Sequence, residues 1–127
     1  MPDRSVLLVE DEEALRAIIA RHLRARGWAV AEAPSAEVAS VLLRAARPAI
    51  VLLDLNLPGE TGWDLLRTGP LARPDAPPVV IVTATPISPR RLREFGVAGY
   101  LPKPFALETL LTTIERLAGD HEGVPGG

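Results

Sequence analysis

Residues 50–59 read Ile50-Val51-Leu52-Leu53-Asp54-Leu55-Asn56-Leu57-Pro58-Gly59. Its opening run, apolar with no polar alternation, suits a strand buried on both faces, as in a parallel sheet covered by helices. The run stops at an acid, Asp54, and Pro58-Gly59 then turns the chain away. Two other runs have the same form: Val6-Leu7-Leu8-Val9 stops at Glu10 and Asp11, and Val79-Val80-Ile81-Val82 stops at Thr83. Trp28 to Glu32 and Gly99 to Leu101 are weaker strand candidates.

Helical patterns fill the intervals. Leu15, Ile18, Ile19 and Leu23 recur at helical spacing and Gly27 closes the segment. Ser35 is placed to cap a second helix that buries Val38, Val41 and Leu42. A third begins near Thr61 or Gly62, buries Trp63 and Leu66, and stops at Gly69-Pro70. After a proline-rich loop, Ser88-Pro89 reads as N-cap and first residue of a fourth helix, which Gly96 ends. Leu107, Leu110, Leu111, Ile114 and Leu117 form the stripe of a fifth. Strand and helix alternate throughout, which predicts an α/β, doubly wound parallel sheet with helices on both faces. The domain is expected to span 1–119, with 120–127 a flexible tail or the start of a linker.

Composition narrows the class. A length of 127 residues supports one domain with a real core. A net charge of −2 argues against a general nucleic-acid binder. The absence of cysteine excludes disulfides and thiolate metal sites. His22 and His121 stand far apart, which disfavours a histidine zinc site. The start, Met1-Pro2-Asp3-Arg4, lacks the basic and apolar regions of a signal peptide, and no apolar run approaches the ~20 residues needed to span a bilayer. The expectation is a cytoplasmic protein with no membrane contact.

In a doubly wound sheet, ligands bind at the carboxyl ends of the strands. The polar residues that end the strands here, Glu10, Asp11, Asp54 and Thr83, are then neighbours, with the backbone near Asn56 beside them. Lys103 follows the fifth strand and joins them. It is the single lysine of a chain with thirteen arginines. A compact ammonium was kept where a planar guanidinium would have followed the compositional trend, which suits a cramped anion site. Carboxylates gathered at one rim repel unless a cation is present, and an all-oxygen set favours Mg2+. Asp54, ending the central strand, is the best candidate for a nucleophile that forms an acyl-phosphate. Taken singly, each residue has a plainer reading: acids at a helix N-terminus for Glu10 to Glu13, a turn residue for Asp54, a β-branched strand residue for Thr83. The set carries the chemistry.

The segments Val6-Leu7-Leu8-Val9-Glu10-Asp11-Glu12, Val51 to Gly59, Val80-Ile81-Val82-Thr83-Ala84 and Gly99-Tyr100-Leu101-Pro102-Lys103-Pro104-Phe105 resemble, in order, the receiver domain of two-component response regulators. The likeness runs from about Ser5 to Leu117. It implies a flavodoxin-like (βα)5 fold with strand order 2-1-3-4-5. It implies that Asp54 accepts a phosphoryl group from a sensor histidine kinase or a histidine phosphotransfer protein. It implies that Mg2+ is held by Glu10, Asp11, Asp54 and the backbone carbonyl of Asn56. Lys103 and Thr83 would contact phosphate oxygens, Thr83 and Tyr100 would form the conformational switch, and the Lys103–Pro104 bond would be cis. The family's docking contacts on the first helix would fall on Ala14, Arg16 and Ala17. A monomer or weak dimer, without direct nucleic-acid binding, is expected.

Against the family pattern, the stretch from Thr83 to Lys103 is short, and Pro86 stiffens the loop after Thr83. Two other functions compete with the phosphoacceptor. A degenerate receiver would bind partners without phosphorylation, which the intact acidic pair, Asp54, Thr83 and Lys103 disfavour. An aspartate-nucleophile phosphohydrolase usually wants a second acid two residues after the nucleophile, where this chain has Asn56.

Overall fold

The computed structural model describes residues 4–123, apart from residue 60. Its sheet has five strands: β1 (Ser5–Val9), β2 (Ala29–Ala33), β3 (Ile50–Leu53), β4 (Val79–Thr83) and β5 (Gly99–Pro102). All pair in parallel, in the order β2-β1-β3-β4-β5. The apolar runs occupy the interior strands β1, β3 and β4, whose residues are all buried.

Five α-helices connect the strands: α1 (Glu13–Ala25), α2 (Ala36–Ala45), α3 (Gly62–Arg67), α4 (Pro89–Phe95) and α5 (Leu107–Gly123). A short 3-10 turn, Pro70–Ala72, interrupts the proline-rich loop. The sheet separates two apolar layers. On one face Ile19 and Leu23 of α1 and Leu110, Leu111 and Ile114 of α5 pack on Val6, Leu8, Leu52 and Val80. On the other, Ala36 and Ala39 of α2 and Leu65 and Leu66 of α3 pack on Leu7, Val9, Val51 and Ile81.

The expected helix ends are where local chemistry demands them. The Ser35 hydroxyl accepts from the Val38 N–H at 3.2 Å, and Ser88 accepts from Arg91 N–H at 3.2 Å with Pro89 in the first turn. Gly96 ends α4 at φ +63, a left-handed cap suited to glycine. At α3 the Asp64 carboxylate accepts from both the backbone N–H and the hydroxyl of Thr61, at 2.9 and 3.1 Å.

The structure corrects two expectations. The inner face of α2 is Ala36, Ala39 and Ser40, while Val38 and Val41 are 38% and 61% exposed. The small residues face the sheet, where Leu7, Val9 and Ala33 fill the space, and leave the valines outside. In α1, Ile18 is also exposed, and Ile19, Ala20 and Leu23 form the buried face. The last helix, α5, runs to Gly123. Residues 1–3 and 124–127 and the His121 side chain lie outside the described residues.

Candidate functional site

The carboxyl ends of β1, β3 and β4, with the turn after β5, meet at one rim of the sheet. Lys103 reaches back across this rim: its Nζ donates to Glu10 Oε1 at 2.8 Å and to Asp54 Oδ2 at 3.0 Å. The Lys103–Pro104 peptide bond is cis. Glu10 and Asp54 are buried, at 1% and 3% exposure, whereas Asp11 faces solvent. The other oxygens of the buried pair are also occupied: Glu10 Oε2 accepts from Glu12 N–H at 3.1 Å, and Asp54 Oδ1 from Asn56 N–H at 3.0 Å.

Burial pushes the Glu10 carboxyl above its ordinary value, and the hydrogen bonds from Lys103 and the Glu12 amide only partly oppose this. Desolvation pulls the Lys103 ammonium down, but its hydrogen bonds to Glu10 and Asp54 outweigh it and hold the ammonium above its ordinary value. Lys103 therefore stays charged and partly neutralises the two buried acids.

Glu10, Asp11 and Asp54 each present a carboxylate oxygen within 4.8 Å of the others. These hard oxygen donors, one of them open to solvent, fit a magnesium ion that keeps several waters. The donor chemistry therefore agrees with the metal expected from sequence.

Thr83 lies fully buried at the end of β4. Its Oγ1 accepts from Asn56 Nδ2 at 3.1 Å and from the Thr85 backbone N–H at 3.3 Å. Asn56 Nδ2 also donates to Thr85 Oγ1 at 2.8 Å, and the Tyr100 hydroxyl donates to the Thr85 carbonyl at 3.4 Å. Glu10, Asp11, Asp54, Asn56, Thr83 and Lys103 thus lie together at this rim, while Tyr100 sits within β5, opposite Ile81, and only its hydroxyl reaches the adjoining loop.

Three contributors were not legible in the sequence. Gly62 opens α3 so close to the site that a Cβ there would lie 2.7 Å from the Asp54 carbonyl oxygen. The signal, a glycine at a helix start, is shared with ordinary turns. Thr85 offered no signal. Arg16, expected as a docking residue, is turned inward: Nη1 donates to the Glu10 carbonyl at 2.8 Å and Nε to Glu32 Oε1 at 3.3 Å. It braces the acidic turn from α1. His22 Nδ1 lies 3.1 Å from its own helix's Ile18 carbonyl, away from the site.

The response regulator receiver domain family model matches residues 6–115. The chain belongs to this family. As a receiver domain it is a signalling module of two-component response regulators rather than a member of a catalytic enzyme family. It is 35% identical over 118 residues to the response regulator MprA of Mycolicibacterium vanbaalenii, covering 92% of this chain and 51% of that protein. It is 34% identical to the transcriptional regulatory protein PdtaR of Mycobacterium tuberculosis, over 88% of this chain and 55% of that protein. The receiver domain thus spans about half the length of these curated relatives. Among solved structures, the non-phosphorylated HemR receiver domain of Leptospira biflexa superposes with a TM-score of 0.81 at 34% identity, covering 90% of this chain and 93% of that one. A Burkholderia pseudomallei response regulator, solved with a phosphorylated aspartic acid, a calcium ion and citrate, superposes with a TM-score of 0.75 at 27% identity, covering 94% of this chain and 71% of that one. Among the described residues of the receiver domain, no helix is long and apolar enough to cross a membrane.

Proposed function

We propose that Asp54 is the phosphoacceptor of this receiver domain and takes its phosphoryl group from a phosphohistidine on a sensor kinase or phosphotransfer protein. The observation that carries the reading is the placement of the Asp54 carboxylate, buried at the end of β3, bonded to Lys103 at 3.0 Å and within metal-bridging reach of Glu10 and Asp11. The phosphorylated aspartic acid of the Burkholderia pseudomallei relative is in keeping with it. In the transfer, the bond from phosphorus to the donor imidazole nitrogen breaks as one to an Asp54 oxygen forms. The donor histidine leaves with its electron pair.

Glu10, Asp11, Asp54 and the Asn56 backbone carbonyl are the groups that would hold Mg2+. Bound there, Mg2+ supplies positive charge against the phosphoryl oxygens and relieves the repulsion among the acids. Lys103 exchanges part of its contact with Asp54 for a phosphoryl oxygen, and the Thr83 hydroxyl turns to another. Tyr100 follows the loop that Thr83 moves. This biases a two-state domain and gives partners a surface to read. A recess of about 320 Å³ beside Lys103, lined by Glu12, Leu15, Ala84, Pro104 and Phe105, receives the approaching donor. The domain acts in the cytoplasm as a monomer or weak dimer, and reading of its state falls to a partner or a further domain.

Incubation with acetyl phosphate and Mg2+, followed by intact mass, tests the assignment. One added phosphoryl group, absent in Asp54→Asn, is expected. No gain in the unaltered protein, with no dependence on Mg2+, would instead favour a receiver that binds partners without phosphorylation.

A further inference from the structure

One side chain at the rim has no part in the chemistry above. The Asn56 amide donates to the hydroxyls of both Thr83 and Thr85, at 3.1 and 2.8 Å, so both of its protons are engaged. Thr83 is in turn tied to the Thr85 backbone, and the Thr85 carbonyl to the Tyr100 hydroxyl. One side chain on the turn after Asp54 therefore fastens the end of β4, the loop that follows and, through that loop, Tyr100. Asn56 and Thr85 are exposed, while Thr83 is buried.

We propose that the Asn56 side chain is a latch that holds Thr83 and Thr85 in the unphosphorylated arrangement and sets how rarely the domain visits the switched one. The proposal rests on the reading of Asp54 as phosphoacceptor and of Thr83 as the hydroxyl that turns toward it. For Thr83 to make that turn, its bond to Asn56 must break. Asn56 is exposed and recovers a partner from water, so the net bias is modest: neutral hydrogen bonds of this kind shift such an equilibrium by about three- to tenfold. A ligand that favours the switched state binds with an apparent affinity reduced by the rarity of that state. Removing the latch must therefore tighten the binding of a phosphoryl mimic although it removes a polar side chain beside the site. A direct contact between Asn56 and the phosphoryl group would have the opposite sign.

The test is a beryllofluoride titration of the full chain, followed by amide spectra at saturating Mg2+ for each variant, which takes metal affinity out of the comparison. Asn56→Ala is expected to bind beryllofluoride about three- to tenfold more tightly than the unaltered protein. Without ligand, its Thr83 and Tyr100 amide signals should already lie part-way toward their saturated positions. Thr85→Val, which removes one of the two partners at an exposed position, should move both readouts the same way by less, and it carries the test if Asn56→Ala does not fold. Unchanged or weaker binding in the variants, with normal binding by the unaltered protein, overturns the latch and leaves the phosphoacceptor reading standing. Absence of beryllofluoride binding in the unaltered protein sinks both.

Discussion

Lys103 Nζ lies 3.0 Å from Asp54 Oδ2, from a strand-end turn forty-nine residues further along the chain. The same ammonium is 2.8 Å from Glu10, so one compact cation bridges two buried acids. A guanidinium is planar and wider, and its donors are set in a rigid fork. Lys103→Arg should keep magnesium affinity within about threefold of the unaltered protein while reducing phosphoryl uptake from acetyl phosphate by about tenfold or more. Metal titration and intact mass measure the two separately. Normal uptake in this variant would remove the reason given for the lone lysine.

Gly62 approaches the backbone of Asp54 and Leu55 so closely that a methyl group would meet the Asp54 carbonyl at 2.7 Å and Leu55 Cα at 3.0 Å. Neither atom is the tip of a flexible side chain. Gly62→Ala should cost about 1–3 kcal/mol by overpacking and slow phosphoryl uptake. Gly96→Ala is the control. Its added methyl meets open space, so it pays only for the left-handed backbone, about 1 kcal/mol, and should leave uptake unaltered. Urea unfolding gives the stabilities. A Gly62→Ala protein as stable as its parent would mean that α3 can retreat from Asp54.

At the other end of the sheet, Glu115 accepts from Arg4 at 2.7 Å and from the Trp28 indole at 2.9 Å. The Arg4 hydrogen bond, against some desolvation and with help from Trp28, holds its carboxyl below the ordinary value. A depressed acid contributes stability above its unfolded-state value and loses it as pH falls through the folded value. Glu115→Gln should therefore be less stable than the unaltered protein at neutral pH, and the gap should narrow as the solution is acidified below the ordinary glutamate range. Both partners are over a third exposed, so the effect is small and weakens further with salt. Urea midpoints from pH 7 downward test the sign, and a gap that widens on acidification contradicts it.

No residue of α4 is fully buried, and its Leu92 and Phe95 pack against the apolar layer it shares with α3. Phe95 packs on Trp63 with ring centroids 5.0 Å apart, and the Arg91 guanidinium lies 4.8 Å over the Trp63 ring. On beryllofluoride binding, amide shifts should concentrate at residues 83–86 and 100 and stay small over 89–95. Arg91→Ala should cost about 0.5–1 kcal/mol and alter Trp63 fluorescence. Large shifts along all of residues 84–100 would show that the clasp yields during the transition.

Much of the fold and the rim was readable because short-range chemistry agrees with long-range packing. Interior strands need apolar residues on both faces, so β1, β3 and β4 announced themselves, and Ser35, Ser88-Pro89 and Gly96 satisfied helix ends where the backbone requires it. The strand-end residues followed from topology: once β1, β3, β4 and β5 are parallel, Glu10, Asp54, Thr83 and Lys103 must converge. α2 was misread because both of its faces carry apolar residues at helical spacing. Size decided between them, since alanines permit close approach to the sheet and valines do not. The Asn56–Thr85 bond and the close approach of Gly62 depend on distances between loops, and residue type does not encode those distances. Arg16 was expected only as a docking residue, because nothing local indicates that its guanidinium finds the Glu10 carbonyl.

The sheet keeps the two apolar layers apart, with α1 and α5 over one and α2, α3 and α4 over the other. Changes made on opposite sides act at sites with no shared partner, and energies at such sites sum. Ile114→Ala and Leu65→Ala, combined, should cost the sum of their separate losses. The helices that flank one side could therefore be remodelled for a new partner while the opposite side keeps its shape, which gives the molecule two independently adjustable surfaces on a single shared wall.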